Sequence, residues 1–320
     1  MTRNRNIDAI KTLLLFLVCI GHMMQCADYE KSVASDAFYR LIYTFHVPAF
    51  TIISGYFSSP MGGGKLSVFV FPILEIIFYG SFLWNLFAGK DISIEMVFIP
   101  AYHLWYLMSL IWWRLLISLF HVKIQTSFLI ISIIVSVMSI KIGTDILSIG
   151  MTLKFLPFFL IGYMARIKGI EISTIRIKIW HVFMSFICVY LLYLLFPWLG
   201  SITHNGSLTK AIGYKMIDIL SFYIFALFLS LSFISLMNRV NWPKFLSDAG
   251  QNNMLYYVYH GFIRFVFLYV MIEYFIEPSF ILLLCFSAMN MAIIWVLSHF
   301  EITYVLMQPL SYIYLKLSNK

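Results

Sequence analysis

Apolar residues run along this chain in long blocks separated by short polar clusters. Breaking the blocks at charged residues and at Gly/Pro/Asn clusters gives ten candidate spans: 7–27, 38–57, 66–88, 103–121, 126–144, 152–167, 178–198, 216–237, 254–276 and 279–299. A bilayer core of about 30 Å takes roughly 20 apolar residues as a helix. A membrane barrel instead shows alternating segments of about 10 residues. The pattern therefore predicts an all-α, polytopic membrane protein of about ten transmembrane helices. The fifth and sixth spans are short, with Lys141 and Lys154 at their edges, and the stretch from Gly143 to Gly150 reads as a candidate re-entrant piece.

Composition excludes the alternatives. Of 320 residues, 62% are hydrophobic and 11% charged, against roughly 45–50% and about 25% in soluble domains. So few charges cannot wet a globule, and the same figures exclude disorder, collagen and coiled coil. The bilayer is thus the first partner implied. With ten spans both termini share a side, and thirteen Lys/Arg lie on it: Arg3, Arg5, Lys11, Lys65, Lys123, Arg166, Lys168, Arg176, Lys178, Arg239, Lys244, Lys316 and Lys320. The opposite loops keep Lys31, Arg40, Lys90, Lys141, Lys210 and Lys215 together with most loop acids. Cytoplasmic loops retain basic residues, which predicts cytoplasmic termini. The net charge of +8 then needs no nucleic-acid partner, since basic inner loops face anionic headgroups. Cys19, Cys26, Cys188 and Cys285 fall in or beside apolar runs with no C-x-x-C spacing and read as packing residues. The first span lacks a convincing cleavage site after Arg3 and Arg5 and reads as a permanent helix. With no repeat and only short loops, one domain over 1–320 is the simplest organisation.

Ionisable groups inside lipid are costly and usually face a cavity or a partner. The candidates are Asp8, Lys11, His22, His46, Glu75, Arg114, Lys154, Asp218, His260, Arg264 and His299; for Lys11, Lys154, Arg264 and His299 snorkelling from a helix end is the plain alternative. His22 lies about 22 Å along the first span from Ile7, past the midplane, and cannot snorkel inward. His46 lies about 18 Å from the inner surface on the returning span, so the two histidines share a depth. One reading is a pair of imidazoles that only joins two helices. The other is a general base in a membrane cavity, since histidine changes protonation near neutral pH. Metal binding has no H-x-x-x-H or H-E-x-x-H face to stand on. Gly62, Gly63 and Gly64 lack the phosphate-loop pattern, and the Asn205-Gly206-Ser207 sequon is a common chance triplet.

Five stretches carry a resemblance. Arg3, Asp8 and Lys11 lead to Cys19-Ile20-Gly21-His22, with ten residues between Lys11 and His22. Phe45-His46-Val47-Pro48-Ala49-Phe50 runs into Ile53-Ser54-Gly55-Tyr56-Phe57. Then come His103-Leu104-Trp105-Tyr106-Leu107, Phe158-Phe159-Leu160-Ile161-Gly162-Tyr163, and Gly250-Gln251-Asn252-Asn253-Met254 with Tyr257 to His260. In order and content these resemble the signatures of the acyltransferase family 3 membrane proteins, bacterial O-acyltransferases that include fucose 4-O-acetylase-like enzymes. Thr12, Val47, Ala49 and Asn253 depart from that family's usual residues, which bears on subfamily and acceptor more than on class.

The resemblance implies transfer of an acetyl group from cytoplasmic acetyl-CoA, as donor substrate, to a sugar hydroxyl of an envelope or secreted polysaccharide, at a bacterial inner membrane and without a metal. A basic residue, ten residues and a histidine form that family's catalytic element, so the resemblance makes Lys11 and His22 catalytic candidates, with His22 the base that takes the hydroxyl proton. Arg114 is a candidate for the charge that develops on the thioester oxygen. Lys11 and Arg3 are candidates to pair with CoA phosphates, or are ordinary positive-inside residues. Asp8, at the same end of the span, is a substrate-binding candidate with them. His46 is a candidate contact for the acceptor or for His22, and His260 a buried polar candidate. His103 and Trp105 begin the fourth span, where aromatics serve either an interfacial belt or a sugar platform. The rival class is a secondary transporter of a small polar solute, which ten spans and breaks at Pro48, Gly55 and Pro157 also suit, although the two halves show no matched interruptions.

Overall fold

The structure is a computed structural model that describes residues 4–26, 32–91, 98–120, 126–142, 146–196, 198–199, 216–274 and 278–318. Arg3 and the Asn205 sequon lie outside the described residues. Among the described residues the regular structure is helical, with no strand. The helices are α1 (Arg5–Cys26), α2 (Val33–Tyr56), α3 (Gly63–Phe87), α4 (Trp105–Leu119), α5 (Thr126–Ile142), α6 (Ile149–Ile167), α7 (Ile179–Leu195), α8 (Met216–Met237), α9 (Lys244–Gln251), α10 (Asn253–Glu273), α11 (Phe280–Leu297), α12 (Glu301–Met307) and α13 (Pro309–Ser318). Short 3-10 turns precede α4, α6 and α7. Each of the ten apolar spans falls on one of these helices, α1 to α8, α10 and α11. Six of them are long and apolar enough to cross a bilayer, and α5 and α7 are shorter apolar helices.

Lipid is written into the burial pattern. On α5, Ser132, Ser136 and Ser139 are buried while Ile130, Ile131 and Ile134 are exposed. That order is inside out for a helix in water. In hydrocarbon nothing outside can satisfy a hydroxyl, so the serines turn inward. Ser136 Oγ donates to the carbonyl oxygen of Lys154 at 2.8 Å. On α8 the same holds, with Ser230, Ser232 and Ser235 buried and Ile217, Leu220, Ile224 and Phe228 exposed. Cys19 packs inside, whereas Cys188 and Cys285 lie on exposed helix faces, where a thiol is as welcome in lipid as a small apolar group. They are therefore not packing residues of the interior.

The chain forms two compact units. The first comprises Met1–Phe57, Phe158–Gly206 and Gly213–Ile293. Within it α2 meets α6 backbone to backbone: a Cβ on Gly55 would overlap the carbonyl of Phe159, and one on Gly162 the carbonyl of Ile52. The motif glycines are thus crossing points, where small residues let helices associate in lipid. Thr44 Oγ1 and the Tyr193 hydroxyl, 2.7 Å apart, join α2 to α7, and Ser230 Oγ joins α8 to the Phe45 carbonyl at 3.2 Å. Pro48 removes one backbone donor inside α2.

The second unit comprises Ser58–Pro157, Ser207–Ile212 and Ile294–Lys320. Here Trp113 Nε1 donates to the Thr152 carbonyl at 3.0 Å, and Ser109 and Thr152 share a hydrogen bond of 2.8 Å. The turn at 146–148 takes positive φ at Leu147 and Ser148 and is held by Trp112 Nε1 on the Leu147 carbonyl at 3.1 Å. Glu75 accepts hydrogen bonds from the backbone N–H of Leu310 and of Ser311 and from the Ser311 hydroxyl. It caps the start of α13, whose first turn leaves those donors unsatisfied. That accounts for a carboxylate in an apolar span.

Candidate active site

The first turns of α1 hold the basic end of the signature. Asn4 Oδ1 accepts from the N–H groups of Asn6 and Ile7 at 3.0 and 3.3 Å and caps the helix. One turn on, Asp8 and Lys11 form an ion pair of 3.1 Å, and Lys11 Nζ lies 4.9 Å over the Phe57 ring. Helix α9 closes on the same turns: a Cβ on Gly250 would overlap the Asp8 carbonyl. Thr12 Oγ1 donates to the Leu246 carbonyl at 2.6 Å. Thr12, a departure from the family pattern, thus has a local reason, because its hydroxyl ties α1 to a backbone carbonyl in the first turn of α9. The first and last signatures of the chain are one structural unit.

Farther along α1, His22 is half-buried, and its ring meets that of His260 on α10, centroids 5.1 Å apart at 68°. His260 is fully buried, with Nδ1 3.2 Å from the Tyr256 carbonyl. A carbonyl only accepts, so Nδ1 carries the hydrogen and Nε2 is left as the acceptor. Helix α11 completes the group: Asn290 Nδ2 donates to the His260 carbonyl at 3.0 Å, and the Cys19 thiol to the Ser287 carbonyl at 3.8 Å. Beside the pair, Ile20, Met23, Met24, Tyr39, Ile42, Phe267, Met271, Leu283 and Phe286 form an apolar cluster, with Phe267 and Phe286 stacked at 4.7 Å. Such packing excludes water from one side of the histidines.

His46 is buried in α2 with Nδ1–H on the Ile42 carbonyl at 2.7 Å. Its ring meets Tyr43 at 4.9 Å, and Tyr43 lies against Gly21, the residue before His22. Depth along the sequence pairs His22 with His46; the ring set against His22 is that of His260.

In the second unit, Arg114 Nη1 is 3.5 Å from the Ser59 carbonyl and its guanidinium lies 5.0 Å over Phe69. His103 is buried, 5.7 Å from Trp84 between ring centroids; Trp84 stacks on Tyr102 at 4.7 Å and 3°. Tyr102 takes φ +43, a strained conformation for a tyrosine. Trp105 stacks on Phe155 at 5.4 Å. These rings are largely engaged with one another.

The acyltransferase domain profile matches residues 4–299, nearly the whole chain. The chain belongs to the acyltransferase family. It is similar to nodulation protein NolL of Mesorhizobium japonicum, 29% identical over 151 residues that cover 40% of this chain and 38% of that protein. A second similarity is to nodulation protein NolL of Sinorhizobium fredii, 38% identical over 60 residues, 18% of this chain and 16% of that one. These matches thus span well under half the length of the curated relatives. No solved structure matches.

The first unit of this acyltransferase-family chain thus sets two imidazoles, His22 and His260, against each other, with the Asp8–Lys11 ion pair earlier on α1. Among the described residues no three His, Cys, Asp or Glu side chains gather as metal ligands. Two residues gain weight that the sequence did not give them. Arg264, where the sequence left snorkelling open, is 2% exposed. Asn290 drew no notice, since an asparagine in an apolar run carries no signature. The sequence signal for Arg264 was its spacing of four from His260, which puts both on one helix face.

Proposed function

We propose that the protein is a multi-pass O-acyltransferase that moves an acetyl group from cytoplasmic acetyl-CoA to a sugar hydroxyl of an envelope or secreted polysaccharide, with His22 as general base. The observation that carries this reading is the His22–His260 pair inside the α1, α10 and α11 bundle of an acyltransferase-family chain. A hydroxyl is a weak nucleophile at neutral pH. His22 takes its proton as the hydroxyl oxygen bonds to the thioester carbonyl carbon, giving a tetrahedral oxyanion. The carbon–sulfur bond then breaks, the carbonyl re-forms, and His22 returns the proton to the departing thiolate, giving the acetyl ester and CoA. His260 packs against the His22 ring and limits its rotation, which supports a fixed line of attack.

In this reading residues 1–320 act as one domain, since the family match runs through both units. The protein sits in the bacterial inner membrane with both termini cytoplasmic. Reporter fusions are expected to place residue 62 inside and residue 205 outside; both on one side would overturn the ten-span topology. Lys11, beside Asp8, is placed to meet CoA phosphates with Arg3. Lys11→Gln is expected to raise KM for acetyl-CoA about tenfold with kcat little changed, the loss of one charge-assisted contact. Initial-rate kinetics in membranes check it, and an unchanged KM would remove Lys11 from the donor site. His46 is assigned to the acceptor in the first unit, and His103 and Trp105 keep, within the second unit, the expectation of an aromatic sugar platform.

Membranes carrying the protein, given radiolabelled acetyl-CoA and envelope polysaccharide, are expected to pass label to the polysaccharide in a form released by mild base. Uptake of a small solute without label transfer would favour the transporter instead.

A further inference from the structure

Arg264 follows His260 by one helical turn on α10, about 16 Å along that helix from Asn253 and so deep in the apolar bundle. It is as buried as His260, each 2% exposed. His260 packs against His22 on α1, and Cys19 precedes His22 by one turn on the same helix. On the ten-span reading α1 and α10 run in the same direction, and the His22 and His260 rings face each other between them. A guanidinium at this depth costs several kcal/mol, and membrane proteins keep such charges where a pathway or reaction uses them. On the third side, Asn290 is fully buried and its Oδ1 has no hydrogen-bond partner among the described residues, although its Nδ2 is fixed on the His260 carbonyl. A buried acceptor left open costs about 1–3 kcal/mol, which a ligand hydrogen would offset.

We infer that Arg264 is the cation that meets the thioester oxygen as it gains charge, with the Asn290 amide oxygen accepting a hydrogen from the bound substrate beside it. The inference rests on the acyl-transfer reading above and deepens it. When the hydroxyl oxygen bonds to the carbonyl carbon, the electron pair of the C=O moves to oxygen, and a guanidinium offers that oxygen two donors in a fixed fork. The pair returns as the C–S bond breaks. Arg114, the candidate from the sequence, lies in the second unit against Ser59 and Phe69.

The test is thiol release from acetyl-CoA by the full-length protein in detergent, with envelope polysaccharide as acceptor, for wild type, Arg264→Met, Arg264→Lys and His22→Ala. Arg264→Met is expected to lower kcat about 10²–10³-fold with KM for acetyl-CoA within about threefold, as for loss of one oxyanion donor. Arg264→Lys keeps the charge without the fork and is expected to recover about tenfold of that loss. A folded Arg264→Met protein with wild-type kcat, or a change in KM alone, overturns the inference. Equal loss in both variants with a lowered unfolding temperature makes Arg264 structural and overturns it too. Should Arg264→Met not fold, Arg264→Lys decides: a lower kcat at an unchanged unfolding temperature supports the role, and wild-type kcat removes it. Wild-type turnover in His22→Ala would sink the base assignment and this inference with it. Loss in His22→Ala beside full turnover in Arg264→Met would sink this inference alone.

Discussion

Gly162→Leu is expected to leave little folded protein in the membrane. A Cβ at Gly162 would already overlap the Ile52 carbonyl and crowd the Tyr56 nitrogen, so even Gly162→Ala forces two backbones apart, and a leucine adds three more carbons at the same place. Overpacking of this kind costs about 1–3 kcal/mol or more, and in lipid it also removes the close approach through which helices attract one another. Gly55→Leu has the same expectation from the other side of the crossing, against Phe159. Gly63→Ala supplies the contrast, because nothing lies within 4 Å of a Cβ there. Membrane yield and thermal unfolding in detergent read the difference. A Gly162→Leu protein as stable as wild type would contradict the α2–α6 crossing.

His22→Ala is expected to lower acetyl transfer by about 10²–10⁴-fold, the usual share of a positioned general base, at an unchanged amount of membrane protein. The half-buried imidazole lies against His260 rather than bearing a helix crossing of its own. In the proposed mechanism its removal therefore takes away the proton acceptor more than the packing. Because the base acts in the transition state, the loss falls on kcat, with KM for acetyl-CoA little altered. Label transfer from acetyl-CoA in membranes measures both. A loss confined to KM would make His22 a binding residue.

That each of the ten apolar runs forms a helix was legible because lipid demands continuous apolar stretches, and no tertiary contact need be known to see them. The edges of α5 and α6 were the weak point, and there the chain turns through two residues of positive φ that no glycine marks. Glu75 stood out for a carboxylate in an apolar run, but its partners are more than 230 positions away on α13, a distance that pattern reading cannot cross. The same limit governs the histidines. Depth follows from counting residues along one helix, so His22 and His46 were matched by height. Which ring faces His22 depends on how α1, α10 and α11 pack side by side, and that placed His260 there. The signature glycines were visible as a resemblance; that Gly55, Gly162 and Gly250 are contact points between backbones came only from the structure. Arg264 shows the opposite case, where the spacing from His260 was present and the alternative of a snorkelling helix end obscured it.

The central claim is that this chain acetylates a polysaccharide with His22 as the base. O-acetyl released by mild base from envelope polysaccharide tests it most directly, comparing cells with the wild-type gene, its deletion, and His22→Ala verified in the membrane. The account predicts wild-type acetyl in the first and loss in the other two. Acetyl retained in His22→Ala but lost in the deletion would contradict the base assignment, and acetyl unchanged in all three would contradict the activity itself.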